Sequence, residues 1–336
     1  MSLGYIYNNK YKILSVGLLI IIILIIYIYY EYNEYYNKYN KYNELITYYN
    51  DETNIRMNIY KTPDNYELPK VIYCFWHNYE EDNYIKMFVN NWEKKLSKEW
   101  KIIIVHKNNI KEYTGDDLNK FSDLDNTKFS DYLRLYLLKE YGGVWIDISI
   151  MIINGYFLDS YHEEMINTKS DALLYEYKDK TINQDYPFLE NWFIMAPKKS
   201  KLICELYDIF EISFDMGFMN FKKNILIKSE MKLDNTIGGY DDNIYLMMHA
   251  CLNYLMYKGH QYKIIVKDAI ESMFKLQRDT SWNEDKLGEK LCDKKNYNNL
   301  YAIKLIGTQR NHLKKLMNDS SYNKNECKIN NILSNL

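Results

Sequence analysis

Between Lys128 and Ile153 the chain reads KFSDYLRLYLLKEYGGVWIDISIMII, and four side chains there have types and spacings suited to chemistry. Asp131 and Arg134 stand three apart in a helical pattern, so they share a face. Asp147 and Ser149 stand two apart in an apolar run, so on a strand they project to one side. A carboxylate in an apolar strand is costly unless a cation, a metal or strong donors compensate it. One carboxylate and one hydroxyl are oxygen donors of the kind that Mn²⁺ or Mg²⁺ takes, although two such groups make a weak protein site alone. A guanidinium forks onto phosphate oxygens. Each group also has a purely structural reading. Asp131 and Arg134 can be a simple ion pair, and Asp147 would cap a turn if the strand were broken there.

The elements that must position these groups follow from periodicity. Phe129, Tyr132, Leu133, Tyr136, Leu137 and Tyr141 recur at helical spacing, with Ser130 and Asp131 expected in the first turn. Gly142 and Gly143 permit the left-handed backbone that ends a helix. Val144 to Ile153 then predicts one strand covered on both faces. Upstream, Val71 to Trp76 predicts a first buried strand, Tyr84 to Leu96 a helix with Ile85, Phe88, Val89, Trp92 and Leu96 inward, and Trp100 to His106 a second strand. Strand, helix, strand at this spacing is the start of an α/β fold with parallel strands. Ligands in such sheets sit beyond the carboxyl ends of the strands. Trp76 is placed there, either to stack on a base or to pack in the core, and His77 reads as a strand-end residue.

Downstream, strands are expected at Ala172 to Tyr177, Glu190 to Ala196, Lys263 to Val266 and Tyr301 to Ile306. Helices are expected at Lys201 to Phe214 and Tyr240 to Lys258, with Asp241 and Asp242 capping the second. Asp116, Asp117, Asp123 and Asp125 read as solvated loop and cap residues. Gln277, Arg278, Asp279, Trp282 and Asp285 form a polar cluster with one aromatic.

The 336 residues carry a formal charge of −2, which gives no basis for a nucleic-acid partner. The five cysteines show no zinc-ligand spacing. Cys74, Cys204 and Cys251 lie in apolar runs as core thiols, and Cys292 with Cys327 is the pair available for a disulfide. Ile13 to Tyr30 is an uncharged apolar run of eighteen residues, long enough for a tilted membrane span. Lys10 and Lys12 precede it and Glu31 and Glu34 follow, which predicts type II orientation with residues 1–12 cytosolic and the remainder on the lumenal, Golgi- or ER-like side. A cleaved signal peptide is the alternative, but no small-residue cleavage site follows the run. Residues 31–67 are low in complexity and read as a stalk. Residues 68–313 form the expected domain and 314–336 a polar tail.

FSDYLRLYLLKEYGGVWIDIS resembles the DXD region of glycosyltransferase family 32-like sugar-nucleotide transferases, closest to the capsular polysaccharide synthesis protein branch. LPKVIYCFWHN, NWFIMAPKKSKLICELYDIF, ESMFKLQ and YAIKL resemble further landmarks in the same order, so the likeness spans roughly Leu68 to Leu313. It implies a GT-A-like, Rossmann-type nucleotide-sugar-binding domain behind the transmembrane helix. It implies transfer of a sugar, with retained anomeric configuration, from a nucleotide-sugar donor to a hydroxyl of a glycan, glycolipid or glycoprotein. By position, Asp131 and Arg134 would grip the donor; Trp76, placed by the end of the first strand, would border it. Asp147 would begin the DXD motif, holding with Ser149 a divalent cation, Mn²⁺ or Mg²⁺, that arrives with the donor diphosphate. Ser149 stands where the commoner pattern has Asp, a position where the capsular branch often has a hydroxyl residue, and a binding protein without turnover is the alternative. Asp279 or Asp285 would be candidates for a further carboxylate. Paired carboxylates of a glycoside hydrolase are a weaker fit, because Asp241 and Asp242 are adjacent and do not flank a bond naturally.

Overall fold

The computed structural model describes residues 21–33, 57–118, 121, 124–234 and 244–318. The chain divides into two units. In the first, residues 21–33 form a helix whose apolar side chains from Ile21 to Tyr30 are exposed. Among the described residues no helix is long and apolar enough to cross a membrane. Part of the expected span and most of the expected stalk lie outside the described residues, as do Asp123, Asp241, Asp242 and Cys327.

The second unit is a mixed α/β fold around a six-stranded sheet in the order β2-β1-β3-β6-β5-β7. Its strands are β1 (Val71–Phe75), β2 (Lys101–Val105), β3 (Gly143–Ile146), β5 (Ala172–Glu176), β6 (Leu189–Ala196) and β7 (Ile264–Asp268). β6 runs antiparallel to both neighbours, while the β1–β2, β1–β3 and β5–β7 pairs are parallel. A separate two-stranded antiparallel sheet joins β4 (Ile150–Ile152) to β8 (Ala302–Lys304).

Alternation along the strands divides the core. Ile72, Cys74, Val144, Ile146, Tyr175 and Phe193 share a cluster with Ile85, Phe88, Val89 and Trp92 of helix α1 (Asn83–Lys95). Asp82 caps α1, accepting from the amides of Tyr84 and Ile85. Burying each large side chain contributes about 1.5–3 kcal/mol, so this face holds the helix in place more than its propensity does. The intervening residues Tyr73, Phe75, Trp145 and Ile194 are buried on the other side, where helix α2 (Asn126–Tyr141) packs on β1 and β3.

Helix α2 begins earlier than its apolar spacing suggests. Asp125 is its cap, accepting from the amides of Thr127 and Lys128, so Asp131 lies in the second turn and not the first. The α2–β3 corner turns on two glycines. Gly142 has φ +68°, and a Cβ there would come within 2.4 Å of the Lys198 amide nitrogen. Gly143 has φ +110°, and its Cβ would meet the Val71 carbonyl oxygen at 2.6 Å.

The single strand expected from Val144 to Ile153 is in fact two strands in two sheets. After Ile146 the Asp147 amide donates to the Trp192 carbonyl oxygen at 2.8 Å, and the Ile150 amide returns to the Asp147 carbonyl oxygen at 3.0 Å. Asp147 therefore stands in a turn at the end of β3. The break is hidden in the sequence because both halves are buried, so both are apolar. Helix α1 pins the second half: Asn91 exchanges two hydrogen bonds with the backbone of Ile152, and the Trp92 indole donates to the Ile150 carbonyl oxygen at 2.7 Å.

Other boundaries also shift. Part of the expected stalk, residues 57–67, packs on the folded unit. There the Tyr60 hydroxyl donates to Asp208 at 2.8 Å, and the Tyr66 hydroxyl donates to the Ser170 carbonyl oxygen at 2.7 Å. The expected helix at Tyr240 to Lys258 begins at Met247 among the described residues. At the far end a helix over Gly307–Asn318 carries Leu316 and Met317 against the core, so the fold runs past residue 313. Cys74, Cys204 and Cys251 are buried free thiols, as their apolar surroundings predict.

Candidate active site

One end of the six-stranded sheet opens into a cavity of about 780 Å³. β1 and β3 deliver their carboxyl ends to it, with Trp76, His77 and Asn78 following β1 and Asp147 following β3. β6 runs the other way, so it brings its first residues there, Glu190, Asn191 and Trp192. This is the crevice where α/β sheets place ligands.

Asp131, Arg134, Asp147 and Ser149 all line this cavity. Arg134 Nη1 donates to Asp131 Oδ1 at 2.5 Å, and Arg134 Nη2 donates to Asp147 Oδ1 at 3.3 Å. Asn191 Nδ2 also donates to Asp131 Oδ1, at 3.1 Å. The guanidinium lies over the Trp145 ring, 4.9 Å from its centre, and the Trp145 indole donates to Asp147 Oδ1 at 3.0 Å. Asp131 and Arg134 are thus a buried pair. Their side chains are 3% and 5% exposed, so the screening that weakens a surface pair is absent. Burial pushes the Asp131 carboxyl up, with Arg134 opposing.

Lys304, on β8, was not among the residues that the sequence singled out. Its Nζ donates to Asp147 Oδ2 at 2.7 Å and to Ser149 Oγ at 2.9 Å. β8 pairs with β4 in a register that sets Lys304 opposite Ile150. The buried Gln277 donates to the Lys304 carbonyl oxygen at 2.5 Å, and the Lys304 amide donates to the Met273 carbonyl oxygen at 3.0 Å. The polar cluster expected after Glu271 thus divides. Gln277 supports β8, Trp282 lines the cavity, and the others face the surface. A signal for Lys304 did exist: a charge in the apolar run YAIKLI is as anomalous as Asp147 in VWIDI. Burial alone would raise the Asp147 carboxyl, but Lys304 and Arg134 outweigh it and hold the group below the usual carboxylate range. Burial draws the Lys304 ammonium below the usual lysine range, against the pull of Asp147.

Trp76 lines the cavity with Arg310 stacked on its ring, 4.8 Å from the centre. The Trp76 indole nitrogen is buried and has no hydrogen-bond partner among the described residues. Arg310 itself lines the cavity, half-buried, and nothing in the local sequence marks it. Glu190 and His249 face each other at 3.6 Å in the same wall.

These residues do not fit a divalent ion held by the protein. The free oxygens of the Asp147–Ser149 pair already accept from an ammonium. Asp131 accepts from Arg134 and Asn191. Asp279 pairs with Lys275 and Arg278, and Asp285 pairs with His312; neither lines the cavity, so neither supplies the further carboxylate considered above. Among the described residues no group of three or more His, Cys, Asp or Glu side chains could hold a metal.

Residues 22–324 match the family model described as capsular polysaccharide synthesis protein. The chain belongs to that family. No curated protein sequence matches it. Among solved structures the PaToxG glycosyltransferase is similar over 66% of this chain and 79% of that one, with 16% identity and a TM-score of 0.30, a likeness too distant to carry an argument. The family match takes in all the cavity residues named above.

Proposed function

We propose that this capsular polysaccharide synthesis family member is a glycosyltransferase with a GT-A-like nucleotide-sugar-binding domain. It transfers a sugar from a nucleotide-sugar donor to a hydroxyl of a glycan, glycolipid or glycoprotein. The observation that carries the reading is the pairing of Arg134 and Lys304 with Asp131 and Asp147, with Arg310 lining the same cavity, at the ligand-binding end of the sheet. In transfer, the bond from the sugar's anomeric carbon to the diphosphate oxygen breaks and its electron pair leaves with that oxygen. The acceptor oxygen forms the new bond, and its proton passes to the departing diphosphate. Charge thus accumulates on the leaving group, and fixed cations aimed at it lower the barrier. Trp76 offers its ring edge to the nucleoside, and Asp131 fixes Arg134. Retention of anomeric configuration is part of the proposal and rests on the sequence resemblance alone.

Residues 13–30 would anchor the chain in type II orientation with this domain on the lumenal side. The run of apolar residues and the flanking charges support that placement. Alkaline carbonate extraction of membranes tests it: a chain released to the supernatant is not anchored.

The test of activity is nucleotide release by the full chain from a panel of UDP-, GDP- and CMP-sugars, with water standing in for the acceptor. Release from one donor, lost in Asp147→Asn, is expected. Binding of a nucleotide sugar with no release, even when glycan and lipid acceptors are supplied, would replace the enzyme by a binding protein.

A further inference from the structure

We propose that Lys304 fills the place of a divalent ion in this site, so that the donor diphosphate is bound and its departure is stabilised by a lysine ammonium without any metal. The inference rests on the glycosyltransferase reading above and concerns how that site manages charge.

Three observations carry it. First, the Lys304 ammonium lies on the two oxygens that a DXD-type ion would use, Asp147 Oδ2 at 2.7 Å and Ser149 Oγ at 2.9 Å. Second, it is built in and is not a surface side chain that has folded over. Its side chain is 9% exposed. Its backbone is fixed on both sides, by pairing with β4 and by Gln277 and Met273. A divalent ion could take these oxygens only by displacing the ammonium within a buried site, where two like charges repel strongly. Third, the exchange of Asp for Ser at position 149 suits an ammonium. A lysine needs acceptors and brings one charge. Asp147 supplies one full charge and Ser149 a neutral acceptor, whereas two carboxylates would leave the pair net negative toward an incoming diphosphate.

Arg310 completes the set. Its guanidinium lies on the Trp76 ring, lines the cavity, and has no hydrogen-bond partner among the described residues, so its donors are available to phosphate oxygens. Lys304 and Arg310 come from the last strand and the last helix among the described residues. Arg134 comes from α2, near the middle of the chain.

The experiment titrates the full chain with UDP, GDP, CDP and ADP by calorimetry, in EDTA and again in Mn²⁺. Manganese bound to the protein is read by electron paramagnetic resonance. The expected result is that one diphosphate binds with affinity within about twofold in the two buffers, and that Lys304→Gln weakens it by about ten- to a hundredfold in both, the size of a charge-assisted contact. The wild-type comparison needs no variant, so misfolding of Lys304→Gln cannot shield the proposal. Binding that vanishes in EDTA and returns with protein-bound Mn²⁺ overturns it while leaving the donor site intact. Failure of all four nucleotides in both buffers overturns the reading of the donor as a nucleoside-diphosphate sugar, and this proposal with it.

Discussion

Arg134→Met isolates the energetic centre of the site. The substitution leaves Asp131, 3% exposed, with Asn191 as its remaining hydrogen-bond donor. Removing one partner of a buried ion pair costs about 3–5 kcal/mol. Loss of the stacking on Trp145 adds about 1 kcal/mol. Relief of the buried, unpartnered Arg134 Nε returns about as much. We therefore expect a loss of about 3–5 kcal/mol near pH 7.5. The loss should depend on pH with a definite sign. Burial already raises the Asp131 carboxyl, and without Arg134 it rises further. Between the unfolded and folded pKa values the folded variant then holds more protons than the unfolded chain, so its stability climbs as pH falls, by at most about 1.4 kcal/mol per pH unit. Urea melts followed by tryptophan fluorescence at pH 5, 6, 7 and 8 read both quantities. Adding Asp131→Asn to the variant should restore part of the loss, because no charge is then stranded. A loss under about 1 kcal/mol at pH 7.5, or one that is flat across this range, would refute the argument that Arg134 is the counter-charge of a buried carboxylate.

Other expectations follow from the same geometry. Gly142→Ala should cost about 2–4 kcal/mol in urea melts, because φ +68° is strained for alanine and its Cβ would meet the Lys198 backbone; an unchanged midpoint would mean that the corner can relax. The double variant Asp147→Leu with Lys304→Met removes both members of a pair whose lysine is buried and whose aspartate is partly buried, so it should unfold within about 2 kcal/mol of wild type while losing nucleotide binding in the calorimeter. Glu205 accepts from His260 and Tyr262; burial alone would raise it, but these donors hold its carboxyl below the usual range. Its contribution is present above the unfolded pKa and is lost as pH falls through the folded one. Glu205→Gln should therefore cost about 1–2 kcal/mol at pH 7, and its stability should converge on wild type as pH falls below the usual carboxylate range.

Much of this fold was legible in the sequence. The inward face of α1 follows the helical period, and β1, β2 and β6 follow their β-branched and aromatic content; α2 is buried more nearly all round, with Leu135 and Leu138 inside and Tyr141 of the expected face exposed. What escaped was long-range. A strand and a broken strand look alike when both pieces are buried, so VWIDISIMII gave no sign that Ile150–Ile152 leaves the main sheet. The partner that draws it away, Ala302–Lys304, is some 150 residues distant, and no local pattern encodes that pairing. The site was legible in half. Asp131, Arg134, Asp147 and Ser149 do meet, through a turn in place of strand alternation. Their cationic partner does not neighbour them in sequence, and Arg310 carries no anomaly, since an arginine in a polar helix is ordinary.

The Asp147–Lys304 contact is hard to explain as a stabilising device. Dehydrating both groups costs about what their attraction returns, and an apolar pair of similar volume would hold β4 to β8 as well. The backbone pairing, Asn91 and Trp92 already fix β4 without it. What an apolar pair could not do is keep a positive charge facing a cavity while a carboxylate orients it. The arrangement makes sense where an anion arrives. A bound phosphate adds the second acceptor charge that a buried ammonium lacks with one carboxylate and one hydroxyl, and Arg134 remains balanced by Asp131. On the proposed reading, the stability sacrificed to burial is recovered when the donor diphosphate binds.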